Sequence, residues 1–145
     1  MIRRVFVDTN VLVYRSSTRS IWYGPARRLL EDLTDDGARL CASPQVVREF
    51  MAAMSRSADL APGDGAELVD LTRDVFAQLQ LLDENFDSVE RLYQLIQTYP
   101  QFRSNVHDAN IAATMLAHDV TELLTHNTKH FEPLQPLITI LPLTE

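Results

Sequence analysis

Four short segments with apolar centres punctuate this chain: Val5-Phe6-Val7, Leu40-Cys41-Ala42, Glu122-Leu123-Leu124-Thr125 and Leu137-Ile138-Thr139-Ile140-Leu141. Each is too short for a buried helix and ends at polar or turn-forming residues, which reads as a strand. Leu81-Leu82-Asp83 is a briefer strand candidate. Longer stretches between them carry apolar residues at three- and four-residue spacing. Strands that are apolar along their length need cover on both faces, and strands alternating with helices are joined by crossovers. The pattern predicts an α/β fold, a three-layer sandwich with a central, mostly parallel twisted sheet flanked by helices.

The helical stretches have readable ends. Pro25–Leu33 places Ala26, Leu29, Leu30 and Leu33 on one face, and Asp35-Asp36-Gly37 stops it. Ser43-Pro44 opens a helix running through Met54 with Val46, Val47, Phe50 and Met54 inward, since Ser caps free N–H groups and Pro suits the first helical position. Two further helices are expected over 65–79 and 87–98, the second closed by Pro100. His107–His118 is apolar nearly all round and reads as a buried helix. Ser55–Asp64 is a loop-like connector. No repeat, low-complexity segment or interdomain linker interrupts residues 1–145, so a single domain is expected.

Composition narrows the chemistry. Cys41 is the single cysteine, which excludes an internal disulfide framework and a Cys-based metal cluster; it reads as a small core residue. No apolar run approaches the ~20 residues of a membrane span, and the N-terminus lacks a signal pattern, so a soluble cytoplasmic protein is expected. The formal charge of −7 argues against electrostatically driven, unspecific nucleic-acid binding. It leaves room for a nucleic-acid enzyme whose bound cations reverse the local sign. Of the 13 basic residues only Lys129 is lysine; the arginines suit phosphate as well as carboxylate.

Three acids sit where solvated acids do not. Asp8 ends an apolar strand, Glu49 precedes Phe50 inside an apolar helix, and Asp108 lies in the first turn of the nearly all-apolar helix. Singly, each has a plain structural explanation: Asp8 or Asn10 as a helix cap, Glu49 as a solvated neighbour of Arg48, Asp108 as an acid favoured near a helix start after an Asn105 cap. Thr125-His126-Asn127 supplies a fourth polar position directly after a strand, where turn chemistry is the plain alternative. In a parallel sheet, however, Asp8 and Asn127 share the carboxyl rim, where ligands bind in such folds, and the first turns of the Glu49 and Asp108 helices can face it. Carboxylates brought to ~4 Å repel by about 4 kcal/mol per pair at an effective dielectric near 20. An all-oxygen cluster of that kind suits Mg²⁺ or Mn²⁺, which take further ligands from water and phosphate.

The segments around Asp8, Glu49, Asp108 and Asn127, with Val46-Val47-Arg48-Glu49-Phe50 after Ser43-Pro44 and Leu123-Leu124-Thr125-His126-Asn127 near the end, resemble in order the PIN-domain ribonucleases, and within them the VapC toxins of bacterial toxin–antitoxin pairs. The resemblance spans nearly the whole chain. It implies that Asp8, Glu49 and Asp108 bind Mg²⁺ or Mn²⁺, that Thr9 and Asn10 hold the loop of the first acid, with Thr125 a further supporting residue, and that Asn127 occupies the fourth catalytic position. That position is often Asp in the family, and an amide adds no charge, so a second ion there is an open matter. The implied reaction is metal-assisted hydrolysis of phosphodiester bonds in RNA. Ser16, Ser17 and Cys41 have no base in pattern, which speaks against a nucleophilic side chain.

The resemblance also implies a homodimer and a cognate VapB-type antitoxin. Trp22, Tyr23, Tyr93, Tyr99 and Phe102 are candidates for partner surfaces, with core packing the equal alternative. Arg15 and Arg19, in the loop past Asp8, are candidate RNA contacts, and His126 and His130 candidate rim residues. A non-catalytic PIN-like RNA- or protein-binding module is the alternative function. An aspartyl-nucleophile phosphohydrolase ranks below it, because the usual second acid two residues on is Asn10.

Overall fold

The computed structural model describes residues 1–57, 60, 63 and 65–145, so the connector expected over Ser55–Asp64 lies partly outside the described residues. Among the described residues five strands form one sheet: β1 Arg4–Val7, β2 Arg39–Ala42, β3 Gln80–Leu81, β4 Glu122–Thr125 and β5 Thr139–Pro142. The helices are α1 Thr9–Arg15, α2 Tyr23–Asp35, α3 Pro44–Met54, α4 Ala66–Phe76, α5 Phe86–Thr98, α6 Val106–Ala117 and the short α7 Thr128–Phe131. The strand order is β3-β2-β1-β4-β5 and every pairing is parallel. In register, Phe6 of β1 lies between Cys41 of β2 and Leu123 of β4. The chain steps outward from β1 to β3, then returns to the other side of β1. With right-handed crossovers that reversal sends α1–α4 and α5–α7 to opposite faces of the sheet. It also opens a crevice past the carboxyl ends of β1 and β4.

The central strands are buried because helices cover both their faces: Val5, Phe6, Val7, Cys41, Ala42, Leu123 and Leu124 are inaccessible to solvent. Cys41 packs there as the small core residue expected. Phe50 of α3 is equally buried and meets Phe76 of α4 edge to face, ring centroids 5.5 Å apart. Met54, Ile111, Met115 and Phe131 complete the interior. In α2 the inward face is Ala26, Leu30 and Leu33. The helix stops at Gly37, whose φ of 91° lets Gly37 and Ala38 N–H groups close back on the carbonyls of Thr34 and Leu33, both at 3.0 Å. A capping box between Asn85 and Ser88 starts α5.

Several boundaries and roles differ from the sequence expectation. Ser43 occupies the N-cap of α3 but makes no capping hydrogen bond; its hydroxyl is buried without a protein partner. Asn105 likewise precedes α6 without a side-chain cap. β3 is Gln80–Leu81 and not 81–83, because Gln80 already pairs with Cys41 and β2 ends at Ala42, whose carbonyl takes the Leu82 N–H at 2.8 Å. β5 begins at Thr139, because the N–H groups of Leu137 and Ile138 are taken by the Leu134 carbonyl at 2.8 and 2.9 Å. Pro100 ends α5 as expected, then opens a 3-10 turn over Pro100–Ser104. That turn drops Phe102 into the core at 1% exposure, which removes it from the candidate partner surfaces. Tyr93 remains exposed, and Tyr99 packs partly against the core.

Candidate active site

Asp8 is the first residue beyond β1. Its N–H continues the ladder to the Leu124 carbonyl at 2.9 Å, so the backbone is still extended when the side chain emerges. Asp8 as a residue is 6% exposed. Oδ1 accepts from the Thr9 N–H at 2.8 Å, and Oδ2 accepts from the Thr125 hydroxyl at 2.8 Å and the Asn10 amide at 3.2 Å. Asp8 therefore does cap α1, and it does so from the base of the crevice. Burial pushes its pKa up to about 6; the Thr125 and Thr9 hydrogen bonds oppose the rise, and the charges of Asp108 and Glu49 add to it.

Glu49 lies in the second turn of α3. Its Oε1 accepts from the Thr9 hydroxyl at 2.8 Å and its Oε2 from the Gln45 amide at 3.1 Å. Asp108 lies in the first turn of α6, with Oδ2 at 3.0 Å from His130 Nδ1. Burial raises the Asp108 pKa, His130 works against the rise, and Glu49 reinforces it. Each of the three acids thus stands within electrostatic reach of another, on one rim of the sheet. Among the described residues, no three Asp, Glu, His or Cys side chains are drawn together closely enough to hold a metal ion as they stand. Like charges separate when each has donors of its own: Thr9, Asn10 and Thr125 for Asp8, Thr9 and Gln45 for Glu49, His130 for Asp108.

At the end of β4 the residue that reaches Asp8 is Thr125, which is inaccessible to solvent. The same hydroxyl accepts from the Asn127 N–H at 3.0 Å, while the Asn127 side chain is on the exposed outer edge. His126 donates its N–H to Asn10 Oδ1 at 3.1 Å and turns its ring onto Trp22 and Tyr14, with centroids 4.5 and 5.3 Å away. Trp22 and Tyr14 are thereby committed to an internal aromatic contact. Tyr23 stacks under Arg27. Arg15 lines a cleft with Leu12, Arg27, Leu30 and Leu79, and none of the three acids borders it. Arg19 is exposed in the loop before α2.

Two features escaped the sequence reading. One is the His130–Asp108 contact, which spans two separate elements. The other is a polar chain through Gln45, Asn110 and Glu84. Gln45 stands four residues before Glu49, a spacing that puts both on one helix face and could have exposed the contact.

A family model described as PIN domain matches residues 5–133. No curated protein matches the chain in sequence. Among solved structures it is similar to VapBC2 from Rickettsia felis bound to a DNA fragment from its promoter: TM-score 0.73, 20% identity, covering 96% of this chain and 98% of that one. It is also similar to a toxin–antitoxin complex from Klebsiella pneumoniae: TM-score 0.71, 23% identity, with 97% and 98% covered. A third is Mycobacterium tuberculosis VapC20, described as a sarcin–ricin loop cleaving toxin: TM-score 0.62, 15% identity, with 82% and 86% covered. At these identities the likeness is one of fold. With the family model matched from the first strand to past the last acidic position, and the parallel sheet carrying Asp8, Glu49 and Asp108 on its carboxyl rim, the chain belongs to the PIN domain family.

Proposed function

We propose that this protein is a Mg²⁺- or Mn²⁺-dependent endoribonuclease, the toxin of a toxin–antitoxin pair, acting as a homodimer restrained by a VapB-type antitoxin. The observation that carries this reading is the placement of Asp8, Glu49 and Asp108 on one rim of the sheet, within electrostatic reach of one another, beside the strand-order reversal of a PIN domain. The donor set is all oxygen and negatively charged, which fits a hard divalent ion and leaves ligand positions for water and phosphate. Gathering the three into a ligand set requires side-chain shifts in which a Glu49 oxygen keeps its Gln45 hydrogen bond and offers its second lone pair, and an ion's charge offsets the repulsion that keeps the acids apart.

A bound divalent ion supplies an activated water and charge compensation for the phosphate oxygens. The chain's own residues supply order. Thr9, Asn10 and Thr125 fix both oxygens of Asp8, so little side-chain freedom remains to be lost on binding. Asn127 stands on the outer edge of the rim, where its amide can meet substrate or water, and Arg15, the last residue of α1, and Arg19, in the loop past it, are the phosphate contacts at the helix end away from Asp8. RNA as substrate is supported by the description of VapC20, and an antitoxin partner by the complexes from Rickettsia felis and Klebsiella pneumoniae.

The alternative, a non-catalytic RNA- or protein-binding module, draws on the separate hydrogen-bond partners of the three acids. Induced expression separates the two. The parent chain is expected to slow growth and generate new RNA 5′ ends, with Asp8→Asn doing neither. Growth arrest by Asp8→Asn equal to the parent's, without new ends, supports the binding module instead.

A further inference from the structure

We infer that Gln45 is a positioning residue that fixes Glu49 relative to Asp108, a role that rests on the metal-dependent reading above. Gln45 is 4% exposed, and both ends of its amide are used. Nε2 donates to Glu49 Oε2 at 3.1 Å and to the His107 carbonyl at 2.9 Å; Oε1 accepts from Asn110 Nδ2 at 2.7 Å. The orientation is set by its neighbours. A carboxylate and a carbonyl can only accept, so the nitrogen must face them, and the Asn110 amide nitrogen must then face the oxygen.

The connectivity makes this more than a filled hydrogen-bond position. Glu49 is held from one side by Thr9, the residue after Asp8, and from the other by Gln45, which grips the carbonyl of His107, the residue before Asp108. One buried amide therefore links α3 to the first turn of α6, and with it the spacing of two acids on different elements. Asn110 steadies the amide and also donates to Glu84 Oε1 at 2.7 Å, and Glu84 faces Arg48 at 3.7 Å. Both ends of the Gln45 amide are taken by protein groups, which leaves it no free donor or acceptor to offer an ion directly. It acts through Glu49, and residues in that relation to a metal ligand change affinity by ~10–100-fold when removed.

The test is Mn²⁺ binding by calorimetry on the full chain, with thermal melts run in parallel. Gln45→Met keeps the volume and removes the amide; Asn110→Ala leaves Gln45 in place without its support. Gln45→Met is expected to bind Mn²⁺ ~10–100-fold more weakly at temperatures where it is fully folded. Asn110→Ala should show a smaller loss, and the double variant should lose no more than Gln45→Met alone, because both act through one amide. Parent-like affinity in Gln45→Met, or additive losses in the double variant, overturns the role of Gln45 while leaving the nuclease reading intact. If Gln45→Met fails to fold, Asn110→Ala alone decides: reduced affinity supports the role, parent-like affinity overturns it. A parent chain that binds no Mn²⁺ overturns the metal-dependent reading itself.

Discussion

The Thr125 hydroxyl donates to Asp8 Oδ2 at 2.8 Å, joining the ends of β4 and β1 across the point where the strand order reverses. The contact links residues 117 positions apart in the chain and is buried from solvent. It holds one oxygen of the acid in place while the Asn127 N–H holds the threonine.

Thr125→Val keeps the side-chain shape and removes the hydroxyl, leaving the Asn127 N–H and one Asp8 oxygen short of a partner. The expected loss is about 1–3 kcal/mol in urea unfolding. Because that hydrogen bond favours the charged form, the Asp8 pKa should rise further, which ¹³C-detected carboxyl titration reads directly. Parent-like stability and an unmoved titration would show that the contact carries no weight.

The raised Asp8 pKa sets a sign for stability against pH. The folded state holds the proton up to about pH 6, whereas an unfolded Asp releases it near its ordinary value of 3.8. Between those values the folded state binds more protons, so metal-free stability falls as pH rises through the window and levels off above it. Asp8→Asn removes this slope. Melting temperatures from pH 4 to 8 should show the variant gaining on the parent toward neutral pH; a constant difference across the range contradicts the shift.

The same proton competes with cations. Mn²⁺ affinity is expected to weaken as pH drops below about 6, by up to tenfold per pH unit for each proton displaced. Calorimetry at pH 5 and 7.5 checks this, and equal affinities would place Asp8 outside the binding set.

Ser43→Ala tests a local rule against the structure. An N-cap serine removed from a helix ordinarily costs about 1 kcal/mol. Here the hydroxyl makes no cap bond and is buried without a protein partner, so the variant should melt at or slightly above the parent temperature. A loss of a full cap's worth would mean that Ser43 caps α3 in solution.

The sheet was readable because the centres of its strands are apolar on consecutive residues: Val5-Phe6-Val7 and Leu123-Leu124 advertise cover on both faces. The approximate places of Asp8, Glu49 and Asp108 followed from parallel strands and helix starts. What stayed hidden depends on tertiary contacts that no periodicity encodes. Phe102 looks like other aromatics near an element end, and only the 3-10 turn after Pro100 sends it inward. His130 meets Asp108, and Asn110 meets both Gln45 and Glu84, across elements brought together by the fold. Strand ends slipped at β3 and β5 because pairing is decided by the neighbouring strand's length and by turn carbonyls competing for N–H groups.

The central claim is that Asp8, Glu49 and Asp108 act as one metal-dependent centre on RNA. The most direct measurement is cleavage of a labelled single-stranded RNA by the purified chain, alone and with Asp8→Asn, Glu49→Gln or Asp108→Asn, each with Mn²⁺ and with a chelator. Cleavage by the parent is expected only with the ion, and each substitution should lower the rate about a hundredfold or more while the fold, read by circular dichroism, is retained. Cleavage that survives chelation, or that is unchanged by neutralising any one of the three acids, would contradict the account.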